Sequence, residues 1–282
     1  MAKRELPGHI AAALAGAGGA TDSAGQPWAG RSLEGDGNPL HRFDQDDGTP
    51  DAGYTAAIEA LAAGTGTEAD VVASLAAARV YVAIIATLGE ETESEHGLTA
   101  DKEADLALVT LTAPDGRKAL PVFSSVDSLS RWHPQARPVA VYAPRAALSA
   151  VAEEAQLLVI DPGSDVTFVV RRPATWALAQ QREWVPSYAD DSLAAIVADA
   201  AAQQPAVRQI QLAAAGGVSS RTAGGTLVSG GGAGPELRVT LQLAPGLDPE
   251  GVQSIAAALQ RSLAAQPEFV ERVDSLELKI TR

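Results

Sequence analysis

Residues 106–123 read LALVTLTAPDGRKALPVF and contain the pattern that decides the fold. Two apolar runs, Leu106–Thr112 and Ala119–Phe123, flank the segment Ala113-Pro114-Asp115-Gly116-Arg117. Proline, aspartate and glycine between two apolar runs are typical of a tight turn that joins antiparallel strands. The sequence therefore predicts a β-hairpin near the centre of the chain.

Short helices and strands are predicted on both sides of this hairpin. Upstream, Thr67 begins a segment with the spacing of a capping box, and the run Val80–Ile85 is typical of a strand. Downstream, Ser125 and Pro144 are suited to start two helices. The apolar run Leu157–Ile160 ends at an Asp-Pro-Gly turn and predicts a buried strand.

Beyond Pro186 the alternation of apolar and polar residues becomes regular. Residues 237–243 alternate in this way and predict a strand with one buried face, as do residues 208–212 and 276–280. Asp248, followed by a proline, is typical of the start of a helix. The order helix, strand, strand, helix, strand predicts a small antiparallel sheet with helices on one side.

Together these patterns predict the α+β class, with two small mixed or antiparallel sheets, each covered by helices, after an irregular amino-terminal arm. We expect an irregular acidic arm over residues 1–66, an α+β domain over 67–185 and a second α+β domain over 186–282. A short helix is expected within the arm near Tyr54–Leu61. The glycine-rich segment 216–235 is expected to be disordered.

Composition limits the classes of function. The 282 residues carry a formal net charge of −14 and include no cysteine. The acidic balance argues against nucleic-acid and membrane partners, because binding to phosphate groups needs clustered lysine and arginine. The lack of cysteine excludes disulfides, thiolate metal sites and cysteine nucleophiles. It is also compatible with a reducing compartment, and we expect a cytoplasmic protein.

No local pattern in the sequence predicts catalysis. The four histidines are not spaced to share a metal, and the glycine-rich runs lack the spacing of phosphate-binding loops. The segment Gly217–Arg221 resembles a nucleophile elbow but lacks its last glycine. We therefore expect a protein that is not an enzyme and needs no cofactor and no metal. Carboxylates brought together from distant positions are the catalytic alternative.

Five residues are candidates for contacting a partner. Trp28 and Arg31 stand in the glycine-rich arm and are residue types that anchor interfaces, although Trp28 has the alternative of packing onto its own domain. Glu91, Glu93 and Glu95 belong to a dense acidic stretch that is suited to dock a basic partner. The alternative for this stretch is an ordinary solvated loop.

Two stretches of the chain resemble a known family. Residues 119–132, ALPVFSSVDSLSRW, follow a strand and a tight turn, and residues 157–163, LLVIDPG, follow a helix. Both are similar to the amino-terminal domain of the SseB family, which is named for enhanced serine sensitivity. Residues 186–282 look like the domain often found second in that family, and the acidic arm resembles a feature of its actinobacterial members.

The resemblance implies a role without an agreed catalytic activity, so it places no catalytic residues on this chain. It implies a link to amino-acid sensitivity, and some members are associated with secretion or protein-assembly partners. We therefore expect a non-enzymatic accessory or protein-interaction protein with an unknown protein partner. The alternative is a sensor of an amino-acid-related small molecule, which rests on fold analogy alone.

Overall fold

The computed structural model describes residues 43, 45–88, 104–113 and 115–281. The chain divides into two compact units, Met1–Asp47 and Gly48–Arg282. The first unit is described only at residues 43 and 45–47, which include turn positions. All of the elements named below belong to the second unit.

The described residues of the second unit form eight α-helices, twelve strands and one turn of 3₁₀ helix at Ser187–Ala189. The helices are α1 Ala52–Ala62, α2 Glu68–Leu75, α3 Val126–Trp132, α4 Ala143–Ala152, α5 Arg172–Ala179, α6 Asp191–Ala202, α7 Pro249–Ala264 and α8 Pro267–Arg272. The strands are β1 Arg79–Leu88, β2 Ala104–Leu108, β3 Leu111–Thr112, β4 Lys118–Phe123, β5 Arg137–Tyr142, β6 Leu157–Ile160, β7 Phe168–Val170, β8 Val207–Ala214, β9 Ser219–Arg221, β10 Leu227–Gly231, β11 Leu237–Leu243 and β12 Leu276–Thr281. The predicted α+β class is confirmed.

Seven strands form the first sheet, in which β4 and β6 are parallel and all other pairs are antiparallel. Strand β1 has β5 on one side and both β2 and β4 on the other, since Ile84 pairs with both Arg137 and Leu108. Helices α1, α2, α4 and α5 bury one face of the sheet around Val82 and Leu120. Helix α3 contributes Leu129 to a smaller cluster that also contains Phe123.

The predicted hairpin is present, but its first strand is broken into two. Strand β2 pairs with β1, whereas β3 pairs with β4 through Leu111 opposite Ala119 and Thr112 opposite Lys118. Strands β1 and β4 pair directly over only two residues of β1, 81 and 82. The segment 104–112 therefore pairs first with β1, through β2, and then with β4, through β3.

The second sheet has the order β12-β11-β8, and its buried face packs on α6 and α7. Strands β11 and β8 are antiparallel, but β11 and β12 are parallel, so the expected antiparallel sheet is in fact mixed. The two helices between β11 and β12 return the chain to the same end of the sheet, as a parallel pair requires. The short helix α8 was not predicted.

The prediction that residues 216–235 are disordered was wrong. They form the hairpin β9–β10, and Val228 is buried in the core of the first sheet. A Cβ atom at Gly217 would lie 2.2 Å from the carbonyl carbon of Gly234. The absence of a side chain at Gly217 therefore allows the backbone at Gly217 and the backbone at Gly234 to approach each other closely.

Helix α1 lies within the range that was predicted as an irregular arm, and it matches the short helix expected near Tyr54–Leu61. Tyr54 and Leu61 are buried in the core of the first sheet. The domain boundaries at 66 and 185 remain predictions. None of the helices described is both long and apolar enough to cross a lipid bilayer.

Candidate binding groove and buried charge cluster

The predicted partner-contacting residues lie outside the described part of the chain. This applies to Trp28, Arg31, Glu91, Glu93 and Glu95, which all remain predictions. Within the described ranges, no three acidic, histidine or cysteine side chains are grouped so that they could hold a metal ion.

The two stretches that carry the family resemblance meet at the ends of β4 and β6. Asp161 follows β6 and accepts hydrogen bonds from the Ser124 backbone N–H at 2.8 Å and from the Ser128 hydroxyl at 2.7 Å. Ser125 caps α3 through the backbone N–H of Ser128. All four residues are buried, so this junction holds the two parallel strands to α3 and offers no open site.

A buried cluster of charged residues surrounds Arg171, whose side chain is 1% exposed. Its guanidinium donates hydrogen bonds to the carbonyl oxygens of Gly234 at 2.7 Å and Gly217 at 2.9 Å. The Asp274 carboxylate lies 3.6 Å from the same guanidinium and is equally buried. Since Gly217 and Gly234 belong to the glycine-rich segment, Arg171 binds that segment to the first sheet.

Arg117 supplies the second positive charge of this cluster. Its guanidinium contacts both oxygens of Asp274 at 2.9 Å and, through Nε, the Asp115 carboxylate at 2.7 Å. Asp274 therefore lies between two guanidinium groups, one contributed from the turn between β3 and β4 and one from the end of β7. A carboxylate held in this way is a strong, charge-assisted acceptor.

Two more carboxylates complete the buried charge cluster. Glu68 accepts hydrogen bonds from the Gly231 backbone N–H at 2.8 Å and from the Tyr188 hydroxyl at 3.0 Å. Glu236 accepts hydrogen bonds from the backbone N–H groups of Asp274 at 2.9 Å and Ser187 at 3.3 Å. Both glutamates are buried, and each links chain segments that are far apart in the sequence.

Burial is the main electrostatic effect on these glutamates. Loss of solvent raises the pKa of Glu68 and of Glu236 above its ordinary value, although backbone hydrogen bonds and the Arg171 charge act in the opposite direction. Burial and the neighbouring Glu68 charge raise the pKa of Tyr188 well above its usual range. Glu68 and Glu236 are closed off from solvent and engaged with backbone N–H groups, so they are suited to hold the fold together.

An open groove of about 300 Å³ lies between α5, the segment that follows it and α8. Helix α5 contributes Pro173 and Trp176, and the segment after it contributes Trp184 and Val185. Trp176 is only partly buried. Arg172 lies over the Trp176 ring at 5.2 Å and donates to two carbonyl oxygens near the end of α8, so it fixes one wall of the groove.

Charges of both signs surround the groove. The Arg272 guanidinium forms ion pairs with Asp190 at 3.0 Å and with Glu268 at 2.6 Å, so its charge is already paired within the protein. Arg182 and Glu183 are exposed at the rim and form no ion pair with any residue that the structure describes.

Accessible apolar surface completes the groove. Val185 is 48% exposed, and the indole N–H of Trp184 is buried without a hydrogen-bond partner among the described residues. The groove therefore offers two indoles, accessible apolar surface and uncommitted charges. None of the carboxylates whose pKa is raised lines it.

Sequence reasoning missed both of these features. The buried charge cluster draws on residues that are spread between Glu68 and Asp274, and no local spacing brings them together. For the groove, a usable signal was present: Trp176 and Trp184 stand eight residues apart on either side of a helix end. Two tryptophans in a chain with 4% aromatic residues point to an apolar surface with a specific use.

Comparison with known proteins gives one match. Residues 55–177 match the profile of the SseB protein N-terminal domain. No curated protein and no solved structure matches the chain. The matched range begins in α1, ends in α5 and includes both stretches on which the resemblance was based. The resemblance of residues 186–282 to the second domain remains a prediction. Residues 55–177, somewhat less than half of the chain, are therefore similar to the SseB protein N-terminal domain.

Proposed function

We propose that this chain is a non-enzymatic, cytoplasmic accessory protein that binds a partner protein through the groove between α5 and α8. The observation that carries this proposal is the pair of indoles, Trp176 and Trp184, at a groove with exposed Val185 beside it. Tryptophan and arginine are the residue types that most often dominate binding energy at protein interfaces. A volume of about 300 Å³ has room for one or two large apolar side chains of the partner.

The separation of the groove from the buried charge cluster favours binding over catalysis. Catalytic acids and bases need a shifted pKa and also contact with the substrate. Here Glu68 and Glu236 have raised pKa values, but both are buried and engaged with backbone N–H groups. The groove and the two glutamates with raised pKa values therefore do not combine into one site.

Site-specific photocrosslinking tests this proposal. A photoreactive phenylalanine analogue at position 185 stands in the groove, and the same analogue at Leu227, which is 61% exposed on β10, serves as the matched control. We expect a discrete partner to crosslink in the cell from position 185 and not from position 227. Trp176→Ala should abolish that crosslink while the protein remains folded by circular dichroism. Crosslinks that are equal at both positions, or unaffected by Trp176→Ala, contradict the proposal.

A second candidate function is a sensor of a zwitterionic small molecule. The observation that favours it is the presence of uncommitted charges of both signs, Arg182 and Glu183, at the rim of a groove with indole walls. A thermal-shift screen of amino acids and related metabolites distinguishes this candidate from the first. A ligand present at a hundred times its Kd stabilises the native state by about 2.7 kcal/mol, and Trp176→Ala should remove that stabilisation. A screen without any stabilising compound leaves the partner protein as the occupant.

A further inference from the structure

Strand β5 is an edge strand, which forms a border of the first sheet, and it lies apart from the groove. It pairs with β1 along Arg137–Tyr142, and no described strand pairs with its other side. Exposed strand borders are templates for the addition of another strand, because their backbone groups lack partners.

The hydrogen-bond pattern shows which residues of β5 face outward. The Ala143 N–H donates to the carbonyl oxygen of Ala78 at 2.9 Å, in register with the β1–β5 ladder. Hydrogen-bonded and non-hydrogen-bonded pairs alternate in an antiparallel ladder, so the backbone groups of Ala140 point away from β1. The carbonyl of Pro138 also points away from β1. Its partner across the ladder is Ala83, and the Ala83 carbonyl accepts a hydrogen bond from the Val109 N–H on the opposite side of β1.

The open side of β5 thus presents the carbonyl of Pro138 and the N–H and carbonyl of Ala140. Proline stands at a position where its missing N–H would have pointed outward, as is typical of border strands. One outward donor is absent, but the remaining groups can still bind an extended peptide.

The side chains beside this border combine apolar surface with positive charge. Val139 is 38% exposed and shares the sheet face of its partner Val82, which is the face that α4 covers. Helix α4 follows β5 directly and carries Leu148, which is 52% exposed, and the exposed Arg145 one turn before it. Arg137 is exposed at the start of β5.

Arg137 and Arg145 form no ion pair with any residue that the structure describes, unlike Arg131, which pairs with Asp127 at 3.0 Å. Arg137 lies on β5 and Arg145 in the first turn of the helix that follows it, and neither is neutralised by an acidic side chain of the described residues, although the chain has a formal net charge of −14. The charge of the rest of the protein is screened over about 8 Å at physiological salt, so these two groups determine the local preference. A carboxylate-bearing partner is complementary to them.

We propose that the open side of β5 binds an extended acidic segment of a partner protein, which adds to the first sheet as a further strand. Backbone hydrogen bonds to Ala140 and Pro138 supply the alignment, Val139 and Leu148 supply apolar contact, and Arg137 and Arg145 select carboxylates. A second copy of this chain is a poorer occupant. Antiparallel pairing of two copies about Ala140 brings Arg137 of one copy close to Arg145 of the other, and like charges repel.

The test uses the full chain and a dye-labelled, capped heptapeptide of sequence Glu-Thr-Val-Thr-Glu-Thr-Val, the glutamate–valine peptide, which places glutamate and valine on the same face of an added strand. Fluorescence anisotropy at about 0.15 M salt should show saturable binding with a Kd below about 1 mM. The corresponding lysine–valine peptide should not bind. A glutamate–valine peptide with N-methylated backbone should bind at least about tenfold more weakly, because it cannot donate hydrogen bonds to the strand.

Two variants and one matched control locate the site. Arg137→Glu combined with Arg145→Glu should weaken binding of the glutamate peptide by about tenfold or more, as should Ala140→Pro, which removes the outward N–H. Arg208→Glu changes an exposed arginine on β8 and should have no effect. The proposal is overturned if the glutamate peptide does not saturate, if Arg208→Glu weakens it equally, or if the full chain dimerises through β5 and excludes the peptide.

Discussion

The buried charge cluster around Arg171 and the groove beside Trp176 differ in how their polar groups are used. In the cluster, Arg171, Glu68 and Glu236 are almost fully buried, and each makes hydrogen bonds to backbone groups of distant segments. At the groove, Arg182 and Glu183 are exposed and uncommitted, and the Trp184 N–H has no partner among the described residues.

This difference separates stabilising groups from binding groups. Perturbed pKa values are often taken as a pointer to a functional site, but ion-pair networks that hold a fold together perturb pKa values as well. In this protein the two glutamates with raised pKa values, Glu68 and Glu236, serve the fold and do not line the groove.

Replacing Arg171 should have the largest effect. Arg171→Met leaves the Gly217 and Gly234 carbonyls without their donor and removes one of the two positive charges next to Asp274. Loss of one partner from a buried ion pair typically costs about 3–5 kcal/mol of the free energy of unfolding. Urea unfolding followed by circular dichroism measures this loss. A loss below about 1 kcal/mol would show that the buried charge cluster does not stabilise the fold.

A smaller loss is expected when the glycine segment is forced away from Arg171. A methyl group from Gly217→Ala would collide with the backbone at Gly234, and overpacking of this kind costs about 1–3 kcal/mol. Gly224→Ala is the matched control, because its Cβ would make only an ordinary contact, at 3.6 Å from the Thr222 hydroxyl. Thermal unfolding of the two variants should therefore differ. Equal midpoints would mean that the close approach at Gly217 does not matter.

The pH dependence of stability should report the burial of Glu68. The pKa of Glu68 is raised from its ordinary value of 4.5, so the folded state binds this proton more tightly than the unfolded chain. The contribution of Glu68 to stability is therefore highest below about pH 4.5 and falls as the pH rises towards the raised pKa.

Glu68→Gln removes this ionisation and can keep hydrogen bonds to both Gly231 and Tyr188. Relative to the wild type, the variant should gain stability across the same pH window by at most about 1.4 kcal/mol per pH unit. Urea unfolding of both proteins between about pH 4 and pH 8 measures the difference. A difference that does not change with pH would place the Glu68 carboxyl in contact with solvent.

The smallest effect is expected at an exposed ion pair. Arg131 and Asp127 are four residues apart on α3, and their side chains are 67% and 78% exposed. Arg131→Met should reduce the free energy of unfolding by only about 0.3–0.5 kcal/mol. It provides the matched arginine-to-methionine control for Arg171. A loss as large as that of Arg171→Met would remove the distinction between buried and exposed charges.

Much of the fold could be predicted from local pattern. Thr67 and Ser125 begin helices as expected, because capping depends on neighbours only three residues away. The hairpin turn before β4 was found for the same reason. Strand β5 was missed, because its residues are mostly exposed and their alternation of apolar and polar side chains is weak.

The candidate site could not be predicted in the same way. The glycine-rich segment 216–235 was expected to be disordered because its composition matches that of a flexible linker. Its order depends on Arg171, which is more than forty residues away and has no pattern of its own. The groove likewise depends on α8, which comes from the far end of the chain.

The buried charge cluster also determines how this chain can be divided. A cut after Val185 would leave Arg171 and Glu68 on one piece, and the carbonyls of Gly217 and Gly234 on the other. Each acceptor described for the Arg171 side chain lies on the second piece, and Glu68 binds Gly231 across 163 positions of sequence. One piece therefore carries the donor of these hydrogen bonds and the other carries the acceptors. Reassociation of two such pieces would therefore have to bury the Arg171 guanidinium again, against the Gly217 and Gly234 carbonyls and the Asp274 carboxylate.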